Sequence, residues 1–396
     1  MTSTPLAILD LVPISAGSDA ATAMRNSIDL ACQAERAGYA RFWFAEHHLN
    51  PGVAGTSPAV MIALTAAATS AIRLGSGAVQ MGHRTALATV EEFGLIDALY
   101  PDRLDLGLGR SGGRPPGAAR DNAGPAARDN AVPAAPAAGP AKPAGTAAGR
   151  YGPNGLLIPP RFSLERLLKS PRIGLNKRLL MLPGAEPQNY TEQIDDVLAL
   201  LAGTFTSAAG VDAHVIPGEG ARVQVWILGS SGGESAQAAG DRGLRFAANY
   251  HVSPATVLEA VDGYRAAFRP SAGLSRPYVS VSADVVVAPD EATARELAAG
   301  YGLWVRSIRT GAGAIPFPTP EQARAHSWTE EDRTLVADRT DTQFVGTAGQ
   351  VADKLEQLRD ATGADELIVT TITHSHADRV RSHQLLADEW YRRATA

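Results

Sequence analysis

Arg41-Phe42-Trp43-Phe44-Ala45-Glu46-His47-His48 is the stretch on which the reading of the chain turns. Phe42, Trp43 and Phe44 form a short apolar run of strong β preference, and Ala45 extends it. Gly38-Tyr39 in front is a helix stop, and Leu49-Asn50-Pro51-Gly52 behind cannot continue a strand. A buried strand that ends in an acid and two histidines is how a closed barrel of strands and helices presents chemistry. A surface loop that carries two histidines fits the same residues, because a histidine pair alone is a weak motif.

The flanking elements choose between these readings. Residues 6–12 read as a buried strand, and Ser18 or Asp19 caps a helix to about residue 37. On that helix Met24, Ile28, Ala31, Cys32 and Glu35 share a face, which makes Cys32 a core residue. Ser57-Pro58 opens a helix to about residue 68. Its Ala59, Ala63, Ala66 and Ala67 let another helix approach closely, within the chain or across a dimer. Residues 72–79 are the third strand, and Gly75 and Gly77 inside it imply the close approach of a backbone or ligand. A helix over 86–100 and a strand over 104–108 follow. The alternation resumes with strands at 223–228, 244–248, 278–288 and 366–371. Helices at 234–241, 254–268, 291–305, 348–359 (capped by Thr347) and 377–391 accompany them. Eight strands with helices between them predict an α/β fold, a parallel (β/α)8 TIM barrel in a single domain over 1–396.

Two insertions interrupt the barrel, at about 114–155 and 307–345. The first is low-complexity: residues 114–149 are almost wholly Ala, Pro, Gly, Arg, Asp and Asn, and Ala-Ala-Arg-Asp-Asn-Ala occurs at 118 and again at 126. With so little apolar bulk to offset chain ordering, it is expected to be disordered. The second carries Gly311, Gly313, Pro316, Pro318 and Pro320, and its place after the seventh strand makes it a candidate cover for the site.

Composition narrows the function classes. The 396 residues are 45% hydrophobic and 19% charged, with a net charge of −5, so no basic field invites nucleic acid or anionic lipid. The lone cysteine, Cys32, allows neither an intrachain disulfide nor a thiolate metal site. Met1-Thr2-Ser3-Thr4-Pro5-Leu6 lacks a basic leader, and no apolar run reaches the ~20 residues of a membrane span. A cytoplasmic protein is expected, with no membrane and no nucleic-acid partner.

The chemistry is carried by glycine-rich turns and histidines. Gly107-Leu108-Gly109-Arg110-Ser111-Gly112 spells the dinucleotide fingerprint, but Arg114-Pro115-Pro116 follows where that motif needs a helix. Close backbone approach, with Arg110 as an anion anchor, is the better reading. Leu228-Gly229-Ser230-Ser231-Gly232-Gly233-Glu234-Ser235 follows the fifth strand and opens a helix. Free N–H groups, hydroxyls and the helix dipole make it an anion site, with Glu234 expected to face out; a helix start with no ligand is the alternative. His83, His251, His374 and His376 end strands or begin loops, and His251 ranks first as a site residue. A zinc site would need histidines and carboxylates alone, no His-Glu-x-x-His spacing exists, and no metal is expected.

Taken in order, Phe44-Ala45-Glu46-His47-His48, Leu74-Gly75-Ser76-Gly77-Ala78, residues 102–110, the loop from Gly229 to Ser235, and residues 347–371 resemble the bacterial luciferase-like flavin-dependent monooxygenases. The resemblance covers about residues 5–112 and 190–391, and within the family it points to members from aromatic polyketide pathways. It implies a TIM barrel that binds reduced FMN from a separate NAD(P)H:flavin reductase. It also implies O2 as co-substrate, activated as a flavin C4a-hydroperoxide to oxygenate a small organic molecule, and a homodimer. By position, His47 matches the catalytic histidine. Arg110, Gly229, Ser231, Gly232 and Ser235 match residues around the FMN phosphate, with His251 also in the cofactor site. Gly77-Ala78 matches a non-prolyl cis peptide beneath the flavin. Gly109 stands where luciferase has a reactive cysteine, which argues against light emission and leaves room for a flat substrate. An F420-dependent oxidoreductase of the same fold, and a flavin-binding protein without turnover, are the alternatives.

Overall fold

The computed structural model describes residues 4–110, 149–152, 154–163, 167, 170–186 and 188–395. Eight parallel strands close into a ring: β1 (Leu6–Asp10), β2 (Arg41–Phe44), β3 (Arg73–Ser76), β4 (Leu104–Gly109), β5 (Gln224–Gly229), β6 (Arg245–Asn249), β7 (Val279–Val287) and β8 (Glu366–Thr370). Each pairs with the next, and β8 returns to β1 with Leu6 opposite Leu367. Helices α1 (Ala20–Arg36), α2 (Pro58–Ala66), α3 (Ala86–Leu99), α4 (Tyr190–Ala202), α5 (Glu234–Asp241), α6 (Val257–Ala267), α7 (Ala348–Thr362) and α8 (His376–Thr395) follow the strands in turn. This is the expected TIM barrel. The strands are legible because both faces are covered, so they read as continuous apolar runs; every residue of β1, β2, β7 and β8 is buried.

The barrel interior is filled by Ala7, Leu9, Trp43, Ala45, Trp226, Ala247 and Ile368, with the two indoles edge to face at 5.0 Å. Gly75 sits opposite Trp43 on the neighbouring strand, where a Cβ would come within 2.7 Å of that indole and 2.6 Å of Asp105 Cβ. The N-terminal end is closed by ions. Arg41 Nε donates to both oxygens of Glu366 (2.8 and 2.9 Å), and its Nη1 donates to Asp105 (2.8 Å). Asp105 also accepts from Trp43 Nε1 (2.9 Å) and Arg73 Nε (2.8 Å).

Several elements depart from expectation. The third strand breaks after Ser76 at a cis Gly77–Ala78 bond and resumes as Val79–Gln80 beside the end of β4. The helix expected at 291–305 is two, Glu291–Ala298 and Gly300–Arg309, broken where Gly300 lets Phe317 lie close. Helix α4 has no counterpart among the expected elements, although Asn189 caps it and Ile194, Val197 and Leu200 recur at helical spacing. Cys32 is half-buried: the buried face of α1 is Ala23, Ser27, Leu30, Ala31 and Ala34, with Cys32 at its edge. The disorder expected in the first insertion falls almost wholly outside the described residues.

The second insertion is structured. Helices Pro320–Ala325 and Glu330–Thr340 and strand Phe344–Gly346 lie within it. A separate core of Val53, Tyr301, Trp304, Val305, Ala314, Phe317, Val336 and Ile372 ties it to the loops after β2 and β8. Gly52 N–H donates to Ala314 O (2.7 Å), and a Cβ at Gly52 would strike the Ile315 backbone. The insertion is thus docked directly over the loop that follows His47. No helix among the described residues is long and apolar enough to cross a membrane.

Candidate active site

The C-terminal ends of the strands open into a cavity of about 840 Å3. After β2 the two histidines part, and just beyond them Leu49 adopts a left-handed backbone (φ 54°). His47 lines the cavity and is half-buried with its Nδ1 out of solvent, and this desolvation together with neighbouring His48 lowers its pKa to about 4. Its ring is therefore neutral at pH 7, and Nδ1 has no hydrogen-bond partner among the described residues. His48 turns to Glu46, donating from Nε2 at 2.8 Å.

Glu46 is a collecting point. Its Oε1 also accepts from His83 Nε2 (3.1 Å), its Oε2 accepts from the Gln80 N–H (2.9 Å), and the Arg84 guanidinium lies 3.5 Å away. Burial acts to raise its pKa, but these hydrogen bonds and the arginine prevail and hold it at about 2. Glu46, His48 and His83 converge as potential metal ligands within 4.8 Å of one another. A cation there would face the Arg84 charge and a carboxylate already engaged, so the set reads as an ion-paired brace for the His47 turn.

A second wall is anion-like in design. Arg110 follows the end of β4, and Ser230, Ser231 and Ser235 surround the start of α5. The helix opens at Gly233 with no side-chain cap, as do α2 and α6, whereas Asp19, Thr85, Asn189 and Thr347 cap α1, α3, α4 and α7. Its first N–H groups and dipole are left for another acceptor. Glu234 does not face out as expected. It lines the cavity and its Oε2 accepts from Arg110 Nη1 at 3.2 Å. A carboxylate in the first turn of a helix is favoured by the dipole, and the arginine opposite draws it inward. At Gly229 a Cβ would lie 2.8 Å from the Phe246 ring, so the loop must be glycine to pass there.

Between these walls the Gly77–Ala78 peptide forms part of the floor, with Leu9 and Trp43 packed behind Gly77. His251, at the end of β6, lines the far side and shares a hydrogen bond with Ser282 Oγ (2.6 Å). Burial first, then Arg339 and His47, lowers its pKa to about 3. Of the residues assigned from sequence, His47, Gly77, Ala78, Arg110, Gly229, Ser231, Ser235 and His251 line one cavity. Gly232 does not, since its α-carbon packs against Glu259 on α6. His374 and His376 bond to Ala16 O and Asp29, outside it.

Three cavity residues were not anticipated: Asp284 on β7, Trp304, and Arg339 from the inserted helix Glu330–Thr340. Arg339 Nη2 reaches Asp284 Oδ2 (3.3 Å) and Tyr301 OH (2.8 Å), and Tyr301 donates to Asp284. No local pattern marks Arg339, which lies in a helix whose sequence is mostly charged.

The profile of the luciferase-like monooxygenase family matches residues 4–131 and 190–366. The chain belongs to that family. It is 32% identical to the uncharacterized protein YvbT of Bacillus subtilis over 98% of both chains. A luciferase-like monooxygenase of Escherichia coli K12 is 30% identical over 96% of this chain and 95% of its own. Among solved structures, apo-MsnO8 superposes with a TM-score of 0.74 at 28% identity over 98% of each chain. Membership in the luciferase-like monooxygenases places the protein among oxidoreductases, and the cavity at the C-terminal face is where a barrel of this kind keeps its chemistry.

Proposed function

We propose that the protein is a monooxygenase that uses O2 and reduced FMN, delivered by a separate NAD(P)H:flavin reductase, to oxygenate a small molecule of the aromatic polyketide or other secondary-metabolite type. The observation that carries this reading is the continuity of one cavity. An anion cradle, a floor that includes Gly77 and Ala78, and a neutral histidine whose Nδ1 has no partner among the described residues share it. The residues fit the cofactor: the uncapped start of α5, Arg110 and the Ser231 and Ser235 hydroxyls suit a phosphate, and the bare Gly77–Ala78 peptide suits a flat ring. At about 840 Å3 the space is near the upper end of the ~300–1,000 Å3 of small-molecule sites, as two ligands require.

Reduced FMN, when bound, supplies the electrons that activate O2. The protein's own residues do the rest. Arg110 and the α5 N-terminus hold the phosphate. Leu9, Leu11, Leu228, Ile368 and Ile372 keep the reacting region apolar, which excludes water. His47, neutral at pH 7, accepts or returns a proton through a ring nitrogen. Val60 and Leu64 on α2 and Leu87, Leu95 and Leu99 on α3 are exposed, and we assign that face to a homodimer of a cytoplasmic enzyme.

The test is anaerobic titration with reduced FMN and reduced FAD, then O2 uptake with a flavin reductase present. FMN should bind more tightly, and Arg110→Ala should weaken it by ~1.5–3 kcal/mol, as for a charge-assisted hydrogen bond. Tighter FAD binding would count against the cofactor. Hydride exchange with deazaflavin F420 and no O2 uptake would replace the reaction, and tight flavin binding without turnover would leave a carrier.

A further inference from the structure

The wall built by the second insertion brings hydrogen-bond donors that phosphate anchoring and proton handling leave unused. Trp304, on helix Gly300–Arg309, is buried and lines the cavity, and its indole Nε1 has no partner among the described residues. Arg339, on helix Glu330–Thr340, is also buried and lines the cavity. Its Nε and Nη2 are committed to Tyr301 and Asp284, while Nη1 has no partner among the described residues. An indole N–H can only donate, and so can a guanidinium. The Trp304 N–H is buried without an acceptor among the described residues, which is costly, and a ligand that supplies the acceptor recovers that cost on binding. Asp284 balances the Arg339 charge at 3.3 Å, so the wall asks for a hydrogen-bonding oxygen rather than for a full negative charge. Around it the lining is apolar, with Val53, Ile308, Ala314 and Ile372. The wall stands at β7, two to three strands round the ring from Arg110 and the serine loop, so it does not duplicate the phosphate cradle.

We infer that Trp304 and Arg339 are the specificity-determining residues for the substrate, and that they select an apolar molecule bearing a neutral oxygen acceptor, a ketone. The inference rests on the monooxygenase reading only in calling that molecule a substrate.

The experiment measures binding to the full-length protein by calorimetry, with and without FMN. The probes are 2-acetylnaphthalene, 2-naphthoate and the shape-matched hydrocarbon 2-isopropylnaphthalene. The quantity read is the affinity ratio of ketone to hydrocarbon. Trp304→Phe removes the N–H and keeps the ring stacked near Tyr301, and it should lower that ratio roughly five- to tenfold, one net hydrogen bond. Arg339→Lys keeps the charge opposite Asp284 but loses the guanidinium fork, and it should lower the ratio by a similar factor. Thermal midpoints confirm that each variant is folded, and if Arg339→Lys fails to fold, Trp304→Phe decides alone. Ketone tighter than naphthoate is expected of a wall whose charge Asp284 already balances, and naphthoate tighter than ketone overturns the choice of a neutral acceptor. A ratio unchanged by Trp304→Phe overturns the inference. Protein that binds FMN but ignores the acceptor keeps the function and loses this site. Protein that prefers the acceptor but binds no flavin keeps the site and loses the function.

Discussion

The two ends of the barrel both bury charge, and they do so to opposite effect. At the N-terminal end, Arg41, Asp105 and Glu366 are interlocked by short hydrogen bonds, and the Arg41 guanidinium lies 4.9 Å over the Trp226 ring. At the C-terminal end, His47 Nδ1 and Trp304 Nε1 are buried with no partner among the described residues, beside a cavity. A saturated network rigidifies, whereas buried polar atoms left open toward a cavity mark where a ligand completes the bonding. Trp226 Nε1 and Arg245 Nε are also unpartnered at the closed end, but neither residue lines the cavity. Openness toward a cavity, not the orphan atom alone, separates a site from a plug.

The sharpest break would come from His47→Ala. The variant should keep reduced FMN, since the anion cradle lies elsewhere, and lose ~10²–10⁴ in turnover, the usual contribution of a positioned acid or base. Oxygenated product per reduced flavin is the readout, with hydrogen peroxide counted as the uncoupled fraction. His48→Ala should cost less, because His48 braces Glu46 and does not line the cavity. If both variants stay coupled, the open end is as structural as the closed one and the comparison fails.

Arg41→Ala should reverse the pattern. It leaves Glu366 buried without its cationic partner, held among the described residues only by Tyr278 OH, while Asp105 keeps Arg73 and Trp43, at a cost of ~3–5 kcal/mol in folding stability. Urea denaturation measures the loss. Activity per folded molecule should hold, because none of Arg41, Asp105 and Glu366 reaches the cavity.

Acid distinguishes the ends in a different way. His47 and His251 have folded pKa values of about 4 and about 3, below the ~6.5 of an unfolded histidine. Between those values the unfolded chain binds more protons than the native one. Their contribution to stability is therefore complete above pH ~6.5 and lost as pH falls toward the folded values. The slope is ~1.4 kcal/mol per pH unit for each histidine. His251→Asn should flatten the urea-derived stability profile between pH 6.5 and 5 by up to ~2 kcal/mol. An unchanged slope would mean that His251 is not held neutral.

The same contrast explains what the sequence could disclose. The strands and their order were readable because two-sided burial writes itself as apolar runs, and Gly77, Arg110 and Ser231 because turns and anion loops have local signatures. Arg339 and Trp304 were not. Arg339 sits among acids and arginines, and its burial is decided by Asp284, on a strand far back in the chain. Glu46 as a hub is hidden for the same reason, since His83 and Gln80 reach it from the next βα unit. Gly232 belongs to the same loop by sequence, but the side of its backbone where a Cβ would stand faces Glu259 on α6, a contact that no local pattern announces.

The smallest expected effect tests the residue whose direction was misjudged. Glu234 faces Arg110 at 3.2 Å, and both side chains are about a third exposed. A pair that exposed contributes ~0–1 kcal/mol to folding, and a carboxylate at a helix N-terminus adds ~0.3–1 kcal/mol. Toward a phosphate, however, the same carboxylate is a rival, because it occupies Arg110 and repels a second anion. Glu234→Gln should therefore bind reduced FMN two- to fivefold more tightly, corresponding to about 0.4–1 kcal/mol, while its folding stability drops by no more than ~2 kcal/mol. The gain should shrink as salt rises, since screening weakens the repulsion it removes. If affinity falls instead, Glu234 holds Arg110 in position and does not compete with the ligand. The open end would then contain one saturated pair of its own, and the line between plug and site would run inside the cavity wall rather than along the barrel axis.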